Sequence, residues 1–281
     1  VAFAARYYQR SVGEMALAAL PPALRTLNAE QLGRRLAKLQ PKAKPKSKRQ
    51  AAEAAQPATS ADAPADTPVV APASDTPPAL TAQQSEALAA IHAQTGIYLL
   101  HGNTGSGKTE VYMQAAAQAL ADNAQAQVLV MVPEINLTPQ LEARFQARFG
   151  TTAVVAMHSG LTPAQRLQGW LKAHLGQARI VLGTRMAVFA SLPQLALIVV
   201  DEEHDPSYKQ QEGARYSARD LAVWRGHHEG VRVVLGSATP SLESWWASRP
   251  ATADDAGGRY LRLAMPDRVA TPGEAAPKLP L

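Results

Sequence analysis

The chain of 281 residues contains no cysteine. That excludes disulfides and thiolate-bound metals within it and suits a reducing compartment. Long apolar runs are missing too. Aliphatic stretches such as Leu195–Val200 fall far short of the roughly 20 residues a membrane helix needs. Residue 1 is Val, and no charged-then-apolar leader follows. The chain reads as a fragment of a soluble cytoplasmic protein with no membrane partner. An even spread of charge is also lacking. Residues 1–79 hold 11 Lys/Arg and 6 Asp/Glu, whereas residues 80–281 hold 17 of each. The net charge of +5 therefore belongs to the N-terminal part. It reads either as a surface for nucleic-acid phosphates or as a solvated basic linker.

What is present divides into zones. Hydrophobic residues make up 46% of the chain, enough for one domain of about 200 residues with a full core. Residues 1–40 carry a helical pattern of Tyr7, Tyr8, Val12, Met15, Leu17 and Leu20, then Leu24, Leu27, Leu32, Leu36 and Leu39. In residues 41–79, Lys42, Lys44, Lys46, Lys48 and Arg49 lead into an Ala/Pro/Thr/Ser/Asp stretch. So few large apolar residues cannot order a segment, and a disordered linker is expected. Residues 80–265 alternate short aliphatic runs (97–101, 128–132, 152–156, 180–182, 195–200, 231–235) with helical patterns at 110–121, 139–149 and 163–175. Runs without polar alternation are the pattern of parallel strands buried on both faces. The expected fold is α/β, a mostly parallel sheet flanked by helices, with ligands at the carboxyl ends of the strands. Residues 266–281 read as a connector.

Gly102-Asn103-Thr104-Gly105-Ser106-Gly107-Lys108-Thr109 fits G-x-x-x-x-G-K-[ST] at every fixed position, between an expected strand and an expected helix. Glycines let the backbone curl round phosphate oxygens, and the following helix adds its positive N-terminal dipole. Lys108 is expected to reach the β- and γ-phosphates of ATP, and the Thr109 hydroxyl to ligate Mg²⁺. Run 195–200 leads straight into Asp201-Glu202-Glu203-His204. Adjacent carboxylates at the end of a buried strand need a cation. Asp201 is expected to hold Mg²⁺, and Glu202 to orient and deprotonate the attacking water. Ser237 and Thr239, in the turn after 231–235, are candidates for sensing the γ-phosphate. Thr184 and Arg185, after 180–182, are candidates for a nucleic-acid backbone.

Taken together, these motifs resemble those of the superfamily 2 DExH helicases and, within them, the primosomal protein N′ family of replication restart helicases. The phosphate loop continued by Glu110, the Asp201–His204 box, and the segments 132–140, 183–189 and 236–244 are similar to that family's motifs. Leu80-Thr81-Ala82-Gln83-Gln84 resembles its adenine-reading element, which implies Gln84 on the base. Residues 205–213, with Arg215, Tyr216 and 219–223, resemble its aromatic-rich coupling loop. That implies Tyr208, Lys209 and Tyr216 at single-stranded DNA, where any base can stack on a ring. His158-Ser159-Gly160 matches a family segment, and no catalytic role is assigned to it. The resemblance implies a RecA-like P-loop NTPase domain over 80–265, and residues 7–25 look like the end of the family's N-terminal DNA-binding region.

The resemblance implies a 3′→5′ DNA helicase using ATP and Mg²⁺, with DNA, primosome and single-strand-binding proteins as partners. Its setting is the bacterial cytoplasm, near the nucleoid. The family's zinc module and second RecA-like domain are expected beyond Leu281, and its winged-helix region is replaced by the linker. No Q-x-x-G-R-x-G-R element supplies arginine fingers, worth ~10³–10⁵ in rate. The chain alone is thus expected to bind nucleotide weakly, hydrolyse it poorly and unwind nothing. Two other classes stay open: a different P-loop enzyme such as an RNA helicase, and a non-enzymatic fragment tethered to DNA through its basic segment.

Overall fold

The computed structural model describes residues 1–39 and 79–269. The linker expected at 41–79 lies outside the described residues except for Ala79, and so does all of the connector beyond Val269.

Four short helices open the chain: α1 (Ala2–Tyr7), α2 (Val12–Ala19), α3 (Pro22–Arg25) and α4 (Ala29–Leu39). The main body continues with α5 (Ala82–Ala93), β1 (Ile97–Gly102), α6 (Lys108–Asp122), β2 (Gln127–Met131), α7 (Pro139–Phe149) and β3 (Val154–Met157). It ends with α8 (Pro163–His174), β4 (Ile180–Gly183), β5 (Leu195–Val200), α9 (Ala218–Glu229), β6 (Arg232–Ser237), α10 (Leu242–Ala247) and β7 (Leu261–Met265). The helix starts are written in the sequence. Thr81 with Gln84 and Thr162 with Gln165 form capping boxes that satisfy the orphan amides of α5 and α8. Thr138 and Ser217 cap α7 and α9.

The strands form one sheet in the order β3-β4-β2-β5-β6-β1-β7, with parallel pairing throughout. Side chains alternate between its two faces. Leu99, Leu129, Met131, Ile198, Val200, Val233 and Leu235 pack on one side with Leu221 and Ala222 of α9. Leu100, Val128, Val130, Leu197, Val199 and Val234 pack on the other with α5, α6 and α7. Both faces are therefore apolar, which is why the central strands read as unbroken aliphatic runs.

Two features leave little mark in the sequence. The edge strand β7 pairs with β1 but keeps only Met265 buried, so it lacks the buried-run signature. The N-terminal helices pack against the main body. Ala4, Ala5 and Met15 join the core on the α9 side, Phe3 stacks on Trp224 at 4.1 Å, and Tyr8 Oη accepts a hydrogen bond from the Ser217 amide at 3.0 Å. No helix among the described residues is long and apolar enough to cross a membrane.

Candidate nucleotide site

The carboxyl ends of β1 and β5 lie two positions apart in the sheet, separated by β6. The phosphate loop leaves β1, and the acidic turn leaves β5. A cavity of about 390 Å³ lies between them, lined by Gln84, Thr104, Gly105, Gly107, Lys108, Thr109, Asp201 and Glu202 among others. That volume is within the range of small-molecule sites.

The loop owes its shape to its glycines. Gly105 and Gly107 have φ of +85° and +81°, where side chains are strained. A Cβ on Gly107 would lie 2.2 Å from Gln84 Nε2. Lys108 donates to Gly102 O at 2.8 Å and Asn103 O at 3.4 Å, so its ammonium already sits inside the loop. Ser106 Oγ is buried without a hydrogen-bond partner among the described residues and would lie 2.6 Å from a Cβ on Gly102. Asn103 Nδ2 donates to Pro266 O at 2.5 Å, and the Val269 amide donates to Gly105 O at 3.0 Å. The segment after β7 thus braces the loop. Gln84 donates through Nε2 to Ser106 O at 3.1 Å and accepts at Oε1 from the Thr81 amide at 2.8 Å. It supports the loop.

Asp201, the residue that follows β5, brings a carboxylate to the same cavity. The Asp201 amide donates to Met131 O at 2.8 Å, and Tyr112 Oη donates to Asp201 Oδ1 at 3.0 Å. Burial, helped by the charge of Glu202, pushes the Asp201 carboxyl up to about 6. A cation would relieve that cost. Thr109 and Asp201 line one cavity, and a hydroxyl and a carboxylate are the hard oxygen donors Mg²⁺ prefers. The cavity volume, the left-handed glycines and this donor pair fit a Mg²⁺-nucleotide.

Glu202 has φ +46°, a left-handed turn that parts its side chain from that of Glu203. Glu203 is 1% exposed. It accepts from the Ser241 amide at 2.7 Å, from Ser244 Oγ at 2.8 Å and from Arg219 Nη1 at 3.2 Å. This carboxylate is a strut between the acidic turn, α9 and α10. Next to it, His204 Nδ1 lies 2.8 Å from Ser237 Oγ and its Nε2 3.4 Å from Thr239 Oγ1. Ser237 and Thr239 therefore meet the acidic box without lining the cavity.

Tyr208 and Tyr216, the residues expected to stack on bases, are both buried within the described fold. Tyr208 is 2% and Tyr216 6% exposed, so neither ring offers a face to a base. Tyr208 Oη donates to Asp201 O at 2.6 Å, and Tyr216 packs edge-on against Phe189 at 5.0 Å. Arg185 Nη1 donates to Ser207 O at 3.0 Å, and Thr184 is buried. Lys209, exposed, pairs through its backbone with Ser217. The aromatic loop is thus wired to the acidic turn from inside. Sequence reasoning gave no role to Tyr112, Glu203 or Arg219. Glu203 lies in the acidic box and Arg219 in the segment 219–223 that resembles the coupling loop, and Tyr112 lies one helical turn after Lys108.

Fold and site define a P-loop nucleotide-binding domain. A model of the DEAD/DEAH box helicase family matches residues 81–245, and the chain belongs to that family. It is similar to "Replication restart protein PriA" of Bacillus subtilis, 50% identical over 149 residues, which are 53% of this chain and 18% of the relative. The protein of that name in Haemophilus influenzae is 49% identical over 169 residues, covering 59% and 23%. The one in Treponema pallidum is 42% identical over 198 residues, covering 67% and 30%. The chain therefore spans less than a third of the length of these relatives.

Proposed function

We propose that this chain is the ATP-binding half of a DNA helicase of replication restart, a 3′→5′ motor that couples ATP hydrolysis to unwinding and primosome assembly at stalled forks. The observation that carries the reading is the cavity shared by Lys108, Thr109, Asp201 and Glu202, in a chain of the DEAD/DEAH box family similar to restart proteins.

Each residue has a role in this reading. Backbone amides of 103–107 and the Lys108 ammonium hold the phosphates. Thr109 and Asp201 would hold Mg²⁺, which neutralises charge developing on the transferred phosphoryl group. Glu202 orients the attacking water and takes its proton. Gln84 gives a side-chain amide hydrogen to the base. Ser237 and Thr239 carry the state of the acidic turn to α10 through His204, and Tyr208, Lys209, Tyr216, Thr184 and Arg185 relay it to a DNA-contacting surface. DNA, primosome components and single-strand-binding protein are the proposed partners, in a bacterial cytoplasm. Zinc, a family expectation, finds no cysteine ligand in this chain. Without arginine fingers from a second motor domain, hydrolysis by this chain alone is slow.

The test is a titration of single-stranded DNA, and of RNA of the same sequence, with and without a non-hydrolysable ATP analogue and Mg²⁺. Tighter binding of DNA in the presence of nucleotide supports the reading. A nucleotide-dependent gain for RNA alone moves the protein to the RNA helicases.

A further inference from the structure

The cavity wall carries a cation that belongs to neither the phosphate loop nor the acidic box. Arg144 reaches it from α7, on the wall that also carries Glu110. Glu110 follows Thr109 in the first turn of α6, and its side chain is 8% exposed. Two arginines grip it. Arg148 Nη1 lies 3.1 Å from Oε1, where Gln114 Nε2 also donates at 3.1 Å. Arg144 Nη2 lies 3.2 Å from Oε2.

The two arginines are not equivalent. The Arg148 side chain is 17% exposed and that of Arg144 51%. A buried carboxylate must keep a partner, and Arg148 with Gln114 supplies it. Arg144 is the surplus cation. Two guanidinium groups against one carboxylate leave a net positive charge on the wall of a cavity that also receives Lys108. Because Arg144 is half-exposed and Arg148 with Gln114 keeps the buried Glu110 carboxylate partnered, Arg144 can change partners at small cost. A phosphate oxygen is the better partner, because the guanidinium fork matches phosphate geometry.

We infer that Arg144 is a nucleotide-contacting residue, which leaves Glu110 for a phosphate oxygen of the bound nucleotide while Arg148 and Gln114 keep Glu110 satisfied. The inference rests on the nucleotide reading above. It also gives the nucleotide a handle on α7, the helix that continues segment 132–140.

The experiment titrates a fluorescent ATP analogue with Mg²⁺ into the 281-residue chain and into Lys108→Ala, Arg144→Ala and Glu110→Gln variants, with thermal unfolding of each. Arg144→Ala is expected to weaken binding about tenfold with unfolding unchanged, since the side chain is half-exposed. Glu110→Gln is expected to tighten binding, because Arg144 loses its competing partner. Should Glu110→Gln lower the unfolding temperature sharply, Arg144→Ala with Arg144→Lys as partial rescue decides. Unchanged affinity in Arg144→Ala, with binding abolished in Lys108→Ala, overturns this inference alone. A shift in the same direction for Arg144→Ala and Glu110→Gln makes the pair purely structural and also overturns it. Unchanged binding in Lys108→Ala overturns the nucleotide reading beneath it.

Discussion

Tyr112, one turn into α6 and buried, donates its hydroxyl to Asp201 Oδ1 at 3.0 Å. The bond joins the helix that follows the phosphate loop to the strand end that carries the acidic box. It favours the charged form of Asp201, against burial and Glu202, which together hold the carboxyl up to about 6. A folded-state value above the ordinary 3.8 means the native protein holds this proton more tightly than the unfolded chain does. The resulting stability is fully present below the ordinary value and is lost as pH rises through about 6. Asp201→Asn is therefore expected to raise stability near neutral pH by ~1–3 kcal/mol while removing Mg²⁺-dependent nucleotide binding. Thermal unfolding at about pH 5 and about pH 8 checks it: the variant gains more at the higher pH than at the lower. Tyr112→Phe removes the donor, so the pH midpoint of Mg²⁺-dependent binding moves upward.

Gly236 makes the Tyr112 contact possible. A Cβ there would lie 1.6 Å from Tyr112 Oη, so Gly236→Ala must displace the tyrosine. The expected cost is ~1–3 kcal/mol of stability, with the upward pH shift seen in Tyr112→Phe. Urea unfolding and a pH series of nucleotide affinity check both halves.

Glu203 and Glu202 are neighbours with opposite expected phenotypes. Removing Glu203 leaves Arg219, 13% exposed, without its buried partner and strips Ser241 and Ser244 of an acceptor. Glu203→Ala is expected to cost ~3–5 kcal/mol. Glu202→Ala leaves the fold close to intact and abolishes hydrolysis. Urea midpoints and phosphate release on the two variants separate a strut from a catalytic residue.

The burial of Tyr208 predicts an outcome unlike that of a stacking platform. Tyr208→Phe loses the hydroxyl bond to Asp201 O and about 1 kcal/mol of stability, with affinity for single-stranded DNA unchanged. Fluorescence anisotropy with labelled oligonucleotide, beside thermal unfolding, reads both.

How far the sequence speaks depends on what each residue type must do. Gly105 and Gly107 announce left-handed backbone that little else tolerates, and run 195–200 announces a strand buried on both faces, so the phosphate loop and central sheet are legible. Strand β7 is not, because its Leu-Arg-Leu-Ala-Met pattern is short and interrupted by the polar Arg262, and only Met265 is buried. Three adjacent acids cannot be told apart by type. The left-handed turn at Glu202 sends Glu203 back to donate its amide to Gly236 O at 3.0 Å, and only the folded chain shows that. Tyrosines among cations look the same in sequence whether they face a base or a core. Tyr208 and Tyr216 face the core because Asp201 O and Phe189 are there to receive them.

The central claim is that Lys108 and the acidic turn form one Mg²⁺-nucleotide site. Titrating a fluorescent ATP analogue into the chain and into Lys108→Ala, with and without Mg²⁺, tests it most directly. The account predicts saturable binding that is lost in the variant and weakened when Mg²⁺ is chelated. Equal binding by the two proteins, indifferent to Mg²⁺, would contradict it.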